Sequence, residues 1–359
     1  MKPFLPVLFS VVFSSMSAAA SQRASKASGK VLVSGYGSDL VFYSLTDGVL
    51  SREGSQIVDP NLTWMEQEGE SFFATHETND FEGESGGAIS RWEMESGQLV
   101  RREHVSLQSN GPAHFILDLD HNLAITANYG GGSVTVVSLN NGQLGAVIQK
   151  IEYDACRDNS HPHQIVRKGD LVWVVDLGCD SIYHYRINGN QLERTGETAI
   201  EDGAGPRHMV LHPTDNLVFL AWELKNAVEV YVYDEETGDL LLLQRLPFSP
   251  TDSDVGAEIL VGPATAEGFS VYATSRGSGI VAVYSPTRDG YYEVLQQFNL
   301  EGSWPRSIAI KEDIMLAIDK VGGTIQVLNI GQSGPMEGQL SAGPVLEAFP
   351  GVAYVMFYD

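Results

Sequence analysis

Residues 161–187 read HPHQIVRKGDLVWVVDLGCDSIYHYRI. The segment opens with His161, Pro162 and His163 and continues as runs of alternating apolar and polar residues that short polar turns interrupt. Such alternation predicts neighbouring β-strands that each bury one face. The two histidines at the start raise a question of chemistry, because they could bind a metal, take part in catalysis or only begin a strand.

The pair of strands in this segment is one of seven such pairs in the chain. Each pair is an apolar strand, a short polar hairpin and a second alternating strand, and the pairs cover residues 30–45, 71–94, 122–139, 170–187, 216–234, 269–286 and 314–330. Corresponding hairpin positions run from Ser34 to Asp319 at intervals of about 47 residues, the length of a four-stranded propeller blade. A further strand precedes most pairs and another usually follows. The sequence therefore predicts an all-β protein, a seven-bladed β-propeller with four-stranded blades; a pair of β-sandwiches is the alternative.

The first strand pair has no strand before it once the N-terminal leader is removed. The C-terminal segment GVAYVMFYD, residues 351–359, is a strand without a partner. We predict that it completes blade one and closes the ring, because closure removes the free sheet edges that promote aggregation. A single propeller domain is expected over residues 21–359.

Residues 1–20 have the features of a secretory signal peptide. Lys2 provides a positive start, an apolar run from Phe4 to Phe13 is too short to span a bilayer, and small residues follow at 17–20. Secretion places the only two cysteines, Cys156 and Cys179, in an oxidising compartment, where a disulfide between them is expected. The sequon at Asn61 is the one candidate glycosylation site.

The formal net charge of the chain is −24. A surface of this charge repels nucleic acid and anionic membranes, so neither is expected as a partner. A soluble extracellular monomer acting on a small molecule fits this composition. Any cluster of arginines in such a protein is unusual and needs a ligand or partner to explain it.

The propeller geometry itself predicts such a cluster. The start of the first strand and the end of the second lie on the same face of a blade, at one mouth of the central channel. Both positions carry polar residues in several blades: His163, Arg207 and Arg306 at strand starts, His114 and His208 one residue later, and Glu223, Arg276 and Lys320 at the ends of second strands. His121, His184 and His212 lie in other registers and are expected at the surface.

Other chemistries find little support. His161 and His163 have a spacing that zinc ligands can use, but no third ligand is evident and the arginines expected at the same mouth would repel a dication. No metal or other cofactor is expected. The chain has no glycine-rich phosphate loop, no nucleophile elbow and no cysteine beside a base. Single residues also have ordinary structural explanations, such as Arg–Glu pairs between blades.

The motifs of blades four to six resemble those of the seven-bladed lactonase propellers. The segments HPHQ, GAGPRHMVLHP, VFLAWELKNAVEVYVYD, VYATSRGSGIVAVY and WPRSIAI are similar to that family, which includes 6-phosphogluconolactonase, carboxy-cis,cis-muconate cyclase and secreted aldonolactonase-like proteins. The resemblance extends from about residue 30 to the C-terminus and is weak in blades one and two.

The resemblance implies a catalytic set of one histidine, two arginines and one glutamate. Carried over by motif, these are His163, Arg207, Glu223 and Arg276, the positions that the strand register also selects. His114, Arg306 and Lys320 are expected to contact the substrate. The chain departs from the family pattern at Trp222, where asparagine is usual, and at Thr274-Ser275 before the arginine, and both departures are expected to reshape the pocket.

These residue types suit lactone hydrolysis. Guanidinium groups can stabilise an oxyanion or a substrate carboxylate, and a histidine can accept and return a proton near neutral pH. Glu223 could orient water, orient the histidine or serve as the base. The sequence therefore predicts a secreted lactonase for aldono-1,5-lactones. A muconate-cyclase-type lactonising enzyme and a non-catalytic carbohydrate-binding propeller are the alternatives.

Overall fold

The computed structural model describes residues 27–153, 156, 160–249, 251 and 253–359. The signal peptide predicted for residues 1–20 lies outside this part of the chain. The described residues form seven four-stranded antiparallel sheets, which are the blades of one propeller. The predicted all-β fold with seven blades is thus confirmed.

Every blade consists of four strands that are hydrogen-bonded in order from the innermost strand outward. Blade one contains β30 (Val352–Tyr358), β1 (Gly29–Gly35), β2 (Asp39–Thr46) and β3 (Val49–Ile57). Blade two contains β4 (Leu62–Glu68), β5 (Ser71–His76), β8 (Ala88–Glu95) and β9 (Gln98–Ser106). Blade three contains β10 (Pro112–Asp118), β11 (Leu123–Asn128), β12 (Ser133–Asn140) and β13 (Gln143–Glu152). Blade four contains β14 (Pro162–Lys168), β15 (Leu171–Asp176), β16 (Ser181–Asn188) and β17 (Gln191–Ala199).

The remaining blades follow the same order. Blade five contains β18 (Pro206–Leu211), β19 (Leu217–Trp222), β20 (Ala227–Tyr233) and β21 (Leu240–Pro247). Blade six contains β22 (Val255–Thr265), β23 (Gly268–Arg276), β24 (Ile280–Pro286) and β25 (Tyr292–Asn299). Blade seven contains β26 (Pro305–Lys311), β27 (Ile314–Asp319), β28 (Thr324–Ile330) and β29 (Leu340–Glu347). A small hairpin of β6 (Asp80–Phe81) and β7 (Glu84–Ser85) is inserted in blade two, and a short 3₁₀ helix spans Gly334–Met336.

The ring is closed by the C-terminal strand, as predicted. Strand β30 pairs antiparallel with β1, so that Lys30 lies opposite Tyr358 and Ser34 opposite Tyr354. Gly35 permits this closure, since a Cβ atom there would lie 2.4 Å from the carbonyl oxygen of Gly351. The Tyr354 hydroxyl also donates to the Met65 carbonyl at 2.7 Å and ties the closing strand to blade two.

The hydrophobic core lies between the blades. The buried apolar residues form seven clusters, and each cluster joins one blade to the next around the ring. Strands with apolar residues on both faces supply these interfaces. Among the described residues, no helix is long and apolar enough to cross a membrane.

Candidate active site

Innermost strands of several blades carry a β-bulge at the same end. In β10, β14, β18 and β26 the pairing register skips one residue directly after a proline: Ala113, His163, Arg207 and Arg306. Bulges of this kind redirect a side chain away from the regular strand pattern. In this propeller they place one extra residue per blade at the mouth of the channel.

The bulge residues and the ends of the second strands line one pocket of about 180 Å³. This volume is below the ~300–1,000 Å³ that is typical of sites for drug-sized ligands, so the pocket suits a small ligand such as a monosaccharide derivative. The lining residues are Tyr36, Glu77, Ala113, Tyr129, His163, Arg207, Glu223, Arg276, Arg306 and Lys320.

One side of the pocket, the arginine wall, consists of His163, Arg207, Glu223 and Arg276 from blades four to six. Glu223 Oε2 lies 3.1 Å from Arg207 Nε and 2.9 Å from Arg276 Nη2. Arg207 Nη1 donates to the Ala257 carbonyl at 2.7 Å, and Arg276 Nη2 donates to the Gly256 carbonyl. The carboxylate thus holds two guanidinium groups side by side, and the backbone of blade six fixes each of them.

Burial and neighbouring positive charges lower the pKa values of two groups on the arginine wall, Arg207 and His163. Burial, together with the neighbouring Arg276 and Arg306, lowers the pKa of Arg207 to about 10, which still leaves the group charged at neutral pH. Burial and the charge of Arg207 also lower the pKa of His163 well below its ordinary value. His163 is therefore neutral in the unliganded pocket and available to accept a proton.

The opposite side, the tyrosine wall, consists of Tyr36, Glu77, Arg306 and Lys320 from blades one, two and seven. The Tyr36 hydroxyl donates to Glu77 at 2.9 Å from Oε1 and 3.0 Å from Oε2, and Arg306 Nη2 donates to the Tyr36 oxygen at 3.0 Å. Lys320 Nζ lies 4.2 Å from the centre of the Tyr36 ring. Burial raises the pKa of Tyr36 to about 12, so the phenol remains a hydrogen-bond donor.

A second layer lies behind the mouth, formed by the residues that follow the bulges. His208 Nδ1 lies 2.5 Å from Glu258 Oε1, and Gln164 accepts a hydrogen bond from the Met209 amide. The His208 and His163 rings meet edge to face, with their centres 4.9 Å apart. This layer lies behind the mouth residues, and its His208 ring contacts the ring of His163.

His114 belongs to this second layer. It was expected to contact the substrate, but it does not line the pocket. The residue is 3% exposed, and its ring packs against Trp64 with ring centres 4.1 Å apart. Ala113, the bulge residue, lines the mouth in its place. The alternating pattern could not reveal which of the two residues at the bulge would face the opening.

Tyr36 and Glu77 are pocket residues that the motifs and the strand register did not single out. In blade two His76 pairs with Leu62, and in blade three Asn128 pairs with Pro112 at the same place in the blade. Glu77, the residue after His76, therefore occupies the position that Glu223 has in blade five. Aligning the hairpin of blade two with the other blades would have found it. The β6–β7 insertion, which closely follows Glu77, hides that alignment.

The other singled-out residues lie around the site rather than in it. His161 stacks on Tyr129 with ring centres 4.5 Å apart, and its amide donates to Asp176 at 2.8 Å. His184 and His212 were expected at the surface, but they are 1% and 5% exposed. The packing of neighbouring blades buries both faces of each sheet, which explains their burial.

The two departures from the family motifs lie outside the pocket lining. Trp222 is 1% exposed and packs in the core between blades four and five, and Arg245 covers its ring at 4.3 Å. Thr274 and Ser275 are fully buried. None of the three lines the pocket, and their effect on its shape stays a prediction.

The two cysteines and the sequon lie in loops near the two walls. Cys156 and Cys179 form a disulfide with Cα atoms 5.4 Å apart, the pairing that the sequence predicts. The half-buried Asn61 accepts a hydrogen bond from the Gly37 amide at 2.9 Å and donates to the Glu77 carbonyl at 3.1 Å. Its side chain therefore braces the tyrosine wall, and its glycosylation stays a prediction.

Comparison with known proteins agrees with this fold. The family described as "Lactonase, 7-bladed beta-propeller" matches residues 31–343. The chain therefore belongs to the lactonase family of seven-bladed propellers, as the motif resemblance implied, and it is an enzyme of the lactonase class.

Relatives within this class differ in name and source. A 6-phosphogluconolactonase of Bacillus subtilis is 26% identical over 77% of this chain and 84% of its own length. Solved structures that share the fold include a Lactobacillus plantarum protein, with a TM-score of 0.83 and 23% identity over 93% of this chain and all of that one. The periplasmic gluconolactonase of Pseudomonas aeruginosa has a TM-score of 0.82 and 20% identity over 93% of this chain and 99% of its own.

Proposed function

We propose that this protein is a secreted enzyme that hydrolyses a sugar lactone of the aldono-1,5-lactone type at the mouth of the propeller. The observation that carries the proposal is the arginine wall, where a neutral histidine lies beside two guanidinium groups that one carboxylate holds together. The small polar pocket and the family of the chain agree with a monosaccharide-sized lactone.

In the proposed reaction His163 is the general base. It takes a proton from water as the water oxygen attacks the lactone carbonyl carbon, and the carbonyl oxygen becomes an oxyanion. The new negative charge raises the proton affinity of His163, whose pKa is otherwise lowered by burial and by the nearby Arg207. Proton transfer is thereby favoured as the oxyanion forms.

Arg207 and Arg276 stabilise that oxyanion. A guanidinium group has five N–H donors, and the contacts described for Arg207 leave some of them for a ligand. Their positions are fixed before substrate arrives, which is the condition for electrostatic catalysis without reorganisation. Glu223 is a positioning residue in this scheme, since its Oε2 oxygen already contacts both arginines.

Collapse of the tetrahedral intermediate then breaks the bond between the carbonyl carbon and the ring oxygen. The imidazolium of His163 returns its proton to that oxygen, which becomes a hydroxyl group. The products are an open-chain aldonic acid, which ionises and releases one proton, and the original enzyme. The carboxylate product then leaves the pocket.

A panel of aldono-1,5-lactones in a pH-stat tests the proposal. We expect acid release above the spontaneous rate with the parent protein and near-background release with His163→Ala. Consumption of a carboxymuconate instead would favour the lactonising alternative, and binding of a sugar without acid release would favour the non-catalytic one. Export is tested separately by sequencing the N-terminus of the mature protein, which should begin close to residue 21.

A further inference from the structure

The tyrosine wall contains a carboxylate that none of the recognised motifs accounts for. Glu77 lies in the pocket lining, across from the arginine wall, and the hydrolysis proposed above does not use it. We propose that Glu77 makes the pocket selective for lactones with an uncharged, hydroxylated side chain over lactones with a terminal phosphate. This inference rests on the proposed function, because it concerns the substrate of the same site.

The carboxylate of Glu77 is held firmly in place. Both of its oxygens accept from the Tyr36 hydroxyl, at 2.9 and 3.0 Å. Its backbone is fixed from both sides, because the Glu77 amide donates to the Asn61 carbonyl at 3.0 Å and the Asn61 side chain donates to the Glu77 carbonyl. Such a group cannot withdraw from the pocket without breaking these contacts.

The charge of Arg306 is already matched on this wall. Its Nη2 atom donates to Tyr36 and lies 3.6 Å from Glu77 Oε2. The phenol between the two charged groups links them into one hydrogen-bonded unit. Lys320 lies over the Tyr36 ring, and burial together with Arg306 lowers its pKa. The wall therefore offers a fixed acceptor beside fixed donors rather than an open cluster of cations.

This arrangement complements hydroxyl groups. A sugar hydroxyl donates one hydrogen bond and accepts others, so it can donate to Glu77 and accept from Lys320 or Arg306 at the same time. A phosphate oxygen that carries negative charge can only accept. It would satisfy the two cations but would lie beside a carboxylate that has no proton to offer.

The two walls line the same small pocket. Its volume is about 180 Å³, and residues of both walls line it, so a six-carbon lactone bound at the arginine wall would extend towards the tyrosine wall. A phosphate at the far end of that lactone would come close to Glu77. Juxtaposed like charges are a common basis for rejecting the wrong ligand.

The test compares kcat/KM for glucono-1,5-lactone and for 6-phosphoglucono-1,5-lactone in a pH-stat. The parent protein is expected to favour the unphosphorylated lactone by about tenfold or more. Glu77→Gln keeps the size and the hydrogen-bonding capacity of the side chain but removes its charge, and should reduce that preference by about tenfold. Glu77→Asp keeps the charge and should keep the preference.

The matched control is Glu82→Gln. Glu82 is a carboxylate of the same blade that also pairs with an arginine, Arg101, but it lies outside the pocket lining. It should leave the ratio of the two kcat/KM values unchanged. If Glu77→Gln does not fold, Glu77→Ala decides instead: it also removes the charge, so the preference should fall, and an unchanged ratio would overturn the role of Glu77.

The possible outcomes distinguish failure of this inference from failure of the proposed function on which it rests. Hydrolysis of neither lactone by the parent protein would overturn the proposed function. Hydrolysis of both with a preference for the phosphorylated lactone, or a Glu77→Gln ratio within about twofold of the parent, would overturn only the selectivity role of Glu77.

Discussion

The arginine wall and the tyrosine wall both combine arginine with glutamate, but they do so in different ways. On the arginine wall, Glu223 contacts two guanidinium groups directly. On the tyrosine wall, the Tyr36 hydroxyl lies between Glu77 and Arg306. On the arginine wall the carboxylate and the guanidinium groups meet with no neutral group between them, so positive charge is concentrated there. On the tyrosine wall a phenol hydroxyl links the carboxylate to the guanidinium group by hydrogen bonds.

This difference shows that one strand register can serve two purposes. The same bulges and strand ends deliver side chains to both walls, and the residue types alone separate them. We therefore expect changes on the arginine wall to act mainly on kcat, since they remove stabilisation of the transition state. Changes on the tyrosine wall should act mainly on KM.

The largest effect is expected from His163→Ala. Loss of a group that transfers a proton should lower kcat by about 10²–10⁴. His121→Ala is the control, because His121 pairs with Asp118 away from the pocket lining and its loss should leave kcat unchanged. Lactone hydrolysis and thermal melting are measured on both. A folded His163→Ala protein with parental kcat would contradict the assignment of the base.

The next largest effect is expected from Arg276→Ala. Removing one of the two proposed oxyanion donors should lower kcat by about 10²–10³ with a smaller change in KM. Arg207→Lys should recover only part of the parental rate, because an ammonium group cannot reproduce the planar fork. Arg194→Ala, at an exposed Arg–Glu pair, serves as the control. A rise in KM alone would show that Arg276 binds the substrate but does not stabilise the transition state.

A moderate effect is expected from Lys320→Met on the tyrosine wall. KM should rise by about tenfold while kcat stays within about threefold, because we expect Lys320 to contact the substrate away from the carbonyl. Lys311→Met, in the same blade but at the other end of its inner strand, should change neither constant. If kcat falls as steeply as for Arg276→Ala, the tyrosine wall also acts on kcat and the proposed difference between the two walls is wrong.

The smallest effect is expected from a moderate fall in pH. Because the pKa of His163 is lowered by burial and by Arg207, the residue stays neutral as the pH falls through the ordinary histidine value of about 6.5. The kcat/KM of the parent should therefore be level there and decline only at more acidic pH, where His163 takes up a proton. A profile of kcat/KM with an acid limb centred near 6.5 would refute this environment for His163.

The sequence predicted the positions of the arginine wall well because two independent signals coincide there. The strand register selects His163, Arg207, Glu223 and Arg276 at one mouth of the channel, and the family motifs contain the same positions. The blade count and the closing strand followed from the regular repeat. These features depend on local pattern and spacing, which a single sequence displays directly.

The tyrosine wall could not be predicted in the same way. The insertion of β6 and β7 interrupts the repeat soon after Glu77, and the closing pair of β1 and β30 shifts register at Gly35, just before Tyr36. His114 was misplaced for a related reason, since a bulge adds one residue and breaks the alternation that indicates direction. Side-chain contacts between distant blades carry no local signal at all.

The closing pair of strands also makes one half of the pocket depend on a contact of very long range. Strands β1 and β30 are about 320 residues apart in sequence, so we expect their pairing to form late in folding. The Tyr36 amide donates to the Gly351 carbonyl at 2.9 Å, next to the start of β30. Loosening of this pairing would therefore disturb the tyrosine wall first, whereas blades four to six, which carry the arginine wall, would keep their own strand pairs.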